Sequence, residues 1–120
     1  MRELLRRHHI SFKSAFSGLV WALTTQPNFR IHLFLTAAAV SAAFFLRISK
    51  IEFVIIIFTV MLGLVVEMVN TAIESVTDLV TTEWKKEAKI AKDVSAGMML
   101  TVAIGAIIIA VVIFWPYIFR

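Results

Sequence analysis

No cysteine occurs in this chain of 120 residues, so neither a disulfide framework nor a thiolate metal site is available to it. Glycine is almost as scarce. The four glycines, at 18, 63, 97 and 105, stand alone, and no G-x-x-x-x-G-K-[ST] loop is present, so any nucleotide must be held without a P-loop. Charge is thin as well, 17% of residues against 60% hydrophobic, with a mean hydropathy of +0.89. That balance excludes an ordinary soluble domain, and the length allows one domain only. The net charge of +4 is too modest to point to nucleic acid by itself; where the charges sit matters more.

What the chain does have is uncharged sequence. Ser95 to Phe119 holds no charge, enough to cross a bilayer core of ~30 Å. The runs Ile31–Leu46 and Phe53–Val66 are shorter, and each can be extended. Pro27 suits the first turn of a helix, and the run ending at Val66 can continue past the hydrocarbon through polar sequence. The reading is an all-α membrane protein. An amphipathic surface helix over 1–25 precedes membrane helices at 27–46, 51–80 and 95–118, with a charged cytoplasmic segment of helical composition at 81–94.

The amino-terminal stretch MRELLRRHHISFKSAFSGLVWAL mixes Arg2, Arg6, Arg7 and Lys13 with Leu4, Ile10, Phe12, Phe16 and Trp21. This pattern fits a helix lying in the membrane interface, and no long apolar region with a cleavage site follows, as a signal peptide would need. Nine of the twelve Lys and Arg residues fall on the side of the amino terminus and the second loop; Arg47, Lys50 and Arg120 fall on the other. The positive-inside rule therefore puts the amino terminus and the 67–93 region in the cytoplasm.

Into this apolar chain the stretch VVEMVNTAIESVTD places Glu67, Asn70, Glu74 and Asp78. At 100° per residue they share one helical face within an arc of roughly 80°. An acid at the membrane boundary is costly and is a functional hypothesis by default. Glu67 is the deepest, and its apolar neighbours suit it to act as a general base. Asn70 offers a hydrogen-bonding amide, and Glu74 a hard oxygen ligand of the kind Mg²⁺ prefers. Lys85, Lys89 and Lys92, at i, i+4 and i+7, form a cationic face nearby. Carboxylates for a metal beside lysines for phosphates point to phosphoryl transfer. Solvated acids at a helix exit and orientation-setting lysines are the bland alternative, and composition alone does not decide between the two.

The segment EMVNTAIESVTDL (67–79), followed by AKIAKDVSAG (88–97), resembles the signature of the prokaryotic diacylglycerol kinase family, which includes the undecaprenol kinases. NFRIH (28–32) before the first span fits as well. The resemblance implies a homotrimer of three-span subunits with active sites shared between neighbours, using Mg²⁺ and ATP to phosphorylate the hydroxyl of a membrane lipid alcohol. Position by position, it implies that Glu67 is the catalytic base and that Glu74 holds Mg²⁺. Asn70, Asp78, Lys92 and Asp93 would bind ATP. Many members carry a metal-binding Glu three residues before the Phe of the N-F-R region, where this chain has Gln26, a weaker ligand. Leu79, following Asp78, looks more like the undecaprenol kinase branch, so undecaprenol is favoured as acceptor over diacylglycerol. A noncatalytic assembly subunit, and a small transporter or proton relay using Glu67, are the rival classes.

Other residues carry structural readings. His8 and His9 belong to a basic tail, and His32 sits at the membrane boundary, where phosphate contact and packing are equally open. Trp21, Trp84, Trp115 and Tyr117 read as interfacial anchors. The alanines at 37–39, 42 and 43, with Gly97 and Gly105, permit close helix approach.

Overall fold

The computed structural model describes residues 2–119, with side chains described over 11–119. The side chains of Arg2, Arg6, Arg7, His8, His9 and Arg120, used above for charge and surface readings, lie outside the described residues. Four helices follow in order: α1 (Arg2–Thr25), α2 (Pro27–Phe45), α3 (Lys50–Val80) and α4 (Lys86–Ile118). No strand occurs among the described residues. By length and composition α2, α3 and α4 are each apolar enough to cross a membrane.

Gln26 alone separates α1 from α2. The ring of Pro27 disfavours helical geometry in the residue before it, and Gln26 is accordingly extended at φ −102°, ψ 107°. Thr25 therefore ends α1 and Pro27 opens α2 as its first residue. At the other end of α2, the Arg47 and Ile48 amides donate to the carbonyls of Phe44 and Ala43 at 3.2 and 3.3 Å. These two bonds form a Schellman closure, and they hold Arg47 at φ 52°, where a Cβ is strained. Ser49 and Glu52 then start α3 with a reciprocal capping box: Ser49 Oγ accepts from the Glu52 amide, and Glu52 Oε2 accepts from the Ser49 amide.

The helix that carries the third span begins at Lys86, so most of the charged 81–94 segment, expected to be of helical composition, forms the opening turns of α4, and only the turn before Lys86 is irregular. Lys, Glu and Ala are strong helix formers, so KKEAKIAK lowers the hydropathy without interrupting the helix.

At 1.5 Å per residue the 31 residues of α3 span about 46 Å and the 33 of α4 about 50 Å, against a hydrocarbon core of ~30 Å. Both helices overshoot at the end where the 81–85 turn joins them, because apolar sequence begins directly after Glu52 at the opposite end. That opposite end is tied by Tyr117, whose hydroxyl donates to Glu52 Oε2 at 2.7 Å. α3 is the central helix and packs on both α4 and α2. Its buried face is polar for a membrane span: Thr59, Glu67, Asn70 and Thr71 are buried, together with Ser95 of α4. Large apolar side chains such as Phe34, Phe45, Phe58, Leu100 and Val112 point outward. Polar-in and apolar-out is the arrangement a hydrocarbon solvent favours.

Candidate active site

The helical period of α3 puts Glu67, Asn70 and Glu74 on the wall of one cleft of about 420 Å³. α2 contributes Asn28 and His32 to the same cleft, and α4 closes it with Ala96, Met99 and Leu100. Glu67 is 2% exposed and its Oε2 has no hydrogen-bond partner, while the Asn28 amide faces the carboxylate. A buried acceptor without a donor is expensive, by about 1–3 kcal/mol, and is rare in a folded chain. Glu67 Oε2 is thus a buried acceptor on the cleft wall with capacity for one more donor.

Asn70 is held from both sides. Ser95 Oγ donates to Asn70 Oδ1 at 2.6 Å, and Asn70 Nδ2 donates to Glu74 Oε1 at 3.4 Å. A carboxylate only accepts, so the amide nitrogen belongs on the Glu74 side and the oxygen on the Ser95 side. Glu74 is half-buried at the cleft wall and keeps acceptor capacity beyond this long bond.

Asp78, Lys92 and Asp93 meet in a second cleft of about 400 Å³, further along the same helix pair and walled also by Thr77, Trp84 and Lys89. Glu67 and Asp78 are eleven residues apart, about 16 Å along the helix axis. The lysines here are not a bare cationic face. Lys92 Nζ donates to Asp78 Oδ1 at 2.6 Å, Lys89 pairs with Asp93, and Lys85 lies 3.4 Å from Glu83. These side chains are 41–79% exposed, so each pair is screened by solvent and worth under about 1 kcal/mol.

Gln26 stays outside both clefts. It is the hinge between α1 and α2, and its Nε2 donates to Thr25 Oγ1 at 3.2 Å. No group of three or more His, Asp and Glu converges among the described residues. Mg²⁺ is commonly bound by one or two carboxylates with phosphate oxygens and water completing the shell, and Glu74 fits that role.

Two residues beside the α3 stripe carry no individual role in the sequence reading, Asn28 on the first cleft and Ser95 behind Asn70. Asn28 lies inside the NFRIH stretch, and Ser95 three residues beyond Lys92; nothing local marks either as a neighbour of the α3 stripe. His32, left open between phosphate contact and packing, lines the first cleft and also an apolar groove of about 280 Å³ running along the spans, which Ala103 shares.

Over residues 13–114 the chain matches the family described as prokaryotic diacylglycerol kinase. It is 43% identical over 101 residues to a diacylglycerol kinase of Synechocystis sp., a match covering 83% of this chain and 58% of that protein, so it spans little more than half of that relative. It is 35% identical to an undecaprenol kinase of Bacillus subtilis over 115 residues, 96% of this chain and 94% of the other. A diacylglycerol kinase of Escherichia coli is 31% identical over 103 residues, covering 86% and 84%. With the match running from α1 through most of α4, the chain belongs to the prokaryotic diacylglycerol kinase family.

Proposed function

We propose that this member of a lipid kinase family transfers the γ-phosphoryl group of ATP to the hydroxyl of a membrane lipid alcohol, undecaprenol in preference to diacylglycerol. The observation that carries the reading is the buried, donor-less Oε2 of Glu67 on a cleft that the apolar groove adjoins. In that pose the alcohol O–H donates to Glu67, which takes the proton as the lipid oxygen bonds to the γ-phosphorus. The bond from that phosphorus to the bridging oxygen breaks and ADP leaves. The tail of the alcohol lies along the groove lined by Leu35, Ala39, Val60 and Ala106.

Glu74, with Asn70 beside it, would hold Mg²⁺, which would supply charge neutralisation on the phosphates. Lys92 exchanges Asp78 for phosphate oxygens, and Asp93 and Asp78 line the nucleotide side. Gln26 contributes to the metal only if α1 swings from its present hinge position, so we assign it a minor share. The homotrimer implied by the family resemblance would bring further groups to both clefts from neighbouring subunits. The prokaryotic family supports a bacterial inner-membrane protein, and the lysine and arginine distribution supports an orientation with both clefts on the cytoplasmic side, where ATP is.

The test is reconstitution of the purified chain in vesicles with γ-labelled ATP, Mg²⁺ and either undecaprenol or diacylglycerol. Label is expected in the lipid, faster with undecaprenol, and lost with Glu67→Gln. Absence of label with both acceptors overturns the reading, and equal label with the variant removes Glu67 from the mechanism.

A further inference from the structure

We propose that Ser95 is a positioning residue of the transfer site: its hydroxyl fixes the Asn70 amide with the oxygen towards α4 and the NH₂ towards Glu74. The inference deepens the lipid kinase reading and rests on it for its catalytic consequence, though the orientation itself is a property of the folded chain.

Ser95 is 1% exposed and Asn70 is 7% exposed, so water does not substitute freely for either partner. Their bond is short, 2.6 Å, and joins α4 to α3 across twenty-five residues of sequence. The competing role for a helical serine is to bond back to its own helix, and Ser95 Oγ does lie 3.1 Å from the Lys92 carbonyl. That carbonyl belongs to a helix that needs no further donor, whereas Asn70 Oδ1 is a buried acceptor on the far side from Glu74. The shorter contact is also the one that satisfies an otherwise stranded atom.

The consequence follows from the amide's two ends. If the hydroxyl is removed, Asn70 loses the donor to Oδ1 and nothing on α4 opposes rotation of the amide. The stranded Oδ1 then turns towards another donor, which breaks the long 3.4 Å bond from Nδ2 to Glu74 Oε1 and leaves Glu74 without that donor. Ser95 also sits one turn beyond Lys92 on the same helix, so this bond fixes the axial register between the phosphate-side residues and the acidic stripe. Ser95 is too enclosed to touch substrate, so its effect passes through Asn70.

The experiment compares wild type, Ser95→Ala, Ser95→Thr, Asn70→Ala and the double variant Ser95→Ala/Asn70→Ala in vesicles. Ser95→Ala is expected to lower kcat by roughly tenfold, to raise the Mg²⁺ concentration needed for half-maximal rate, and to leave KM for the lipid unchanged. Ser95→Thr, which keeps the hydroxyl, restores most of the rate. In the Asn70→Ala background the Ser95→Ala change has no further effect; an undiminished effect there overturns the proposal, as does a wild-type kcat in Ser95→Ala. The side-chain amide resonances of Asn70 in ¹⁵N-labelled protein, identified by their loss in Asn70→Ala, are expected to shift in Ser95→Ala and to stay in place in Ser95→Thr. Unshifted resonances in Ser95→Ala refute the orientation whether or not the chain transfers phosphate. A wild-type chain without transfer sinks the kinase reading instead, and the resonances still decide Ser95.

Discussion

Lys92 Nζ lies 2.6 Å from Asp78 Oδ1, a bond that joins α4 to α3 at the end where both helices outrun the hydrocarbon. The two side chains are 41% and 57% exposed, so solvent screens the pair and it contributes under about 1 kcal/mol to stability. Lys92→Ala is expected to leave the thermal midpoint nearly unchanged while raising KM for ATP by about tenfold or more, since Asp78 is then an unpaired negative charge facing the phosphates. Thermal melts in detergent beside ATP titrations of the rate check both halves; a large drop in midpoint with unchanged KM would make the pair structural.

Glu67→Gln keeps the size and the buried position of the side chain but cannot accept the alcohol's proton. The rate is expected to fall by about 10² to 10⁴ with ATP affinity retained. Single-turnover transfer and nucleotide binding, measured on the same vesicle preparation, separate the two.

Glu74→Gln replaces the proposed charged ligand with a neutral one; in the first cleft Glu74 is partly exposed while Glu67 is buried. A higher Mg²⁺ requirement is expected, with activity partly recovered at high Mg²⁺ concentration. Rate against Mg²⁺ at saturating ATP is the measurement, and an unmoved midpoint would take Glu74 out of the metal site.

Tyr117→Phe removes the hydroxyl that donates to Glu52 Oε2 at the end remote from the clefts. A loss of about 1.5–3 kcal/mol is expected, because the acceptor is charged. Catalysis per folded molecule is unaffected in this prediction, which chemical unfolding in mixed micelles and initial rates test together.

Arg47 closes α2 in a left-handed conformation at φ 52°, where glycine carries no Cβ penalty. Arg47→Gly is expected to stabilise the α2–α3 connection by about 1 kcal/mol. A lower unfolding midpoint would mean that the guanidinium holds more than the strain costs.

The acidic stripe was legible in the sequence because helical geometry is periodic: knowing only that 67–78 is helical, one places Glu67, Asn70, Glu74 and Asp78 on one face. The cationic face of Lys85, Lys89 and Lys92 was legible for the same reason, but the carboxylates that pair with it were not. The lysine spacing is visible, but that Asp78, Glu83 and Asp93 neutralise these lysines depends on side chains reaching between turns and across helices. The helical composition of 81–94 was legible too, but not that its helix runs unbroken into the third span, because hydropathy falls at Lys86–Asp93 while helix propensity does not, and only propensity governs the backbone there. Ser95 and Asn28 lie inside stretches that carry the family resemblance, yet their contacts were not legible, since a lone polar residue beside an apolar run reads the same whether it meets a partner or solvent.

By itself, then, the sequence determined that the chain is helical, that three of its helices suit a membrane, and where the acids fall on α3, because hydropathy and helical period are local properties of a run of residues. Tertiary structure alone decided which of those acids share a cleft, which lysine answers which carboxylate, and which way the Asn70 amide points. Those depend on the register and tilt of α4 against α3, and packing sets them through contacts between residues far apart in the chain.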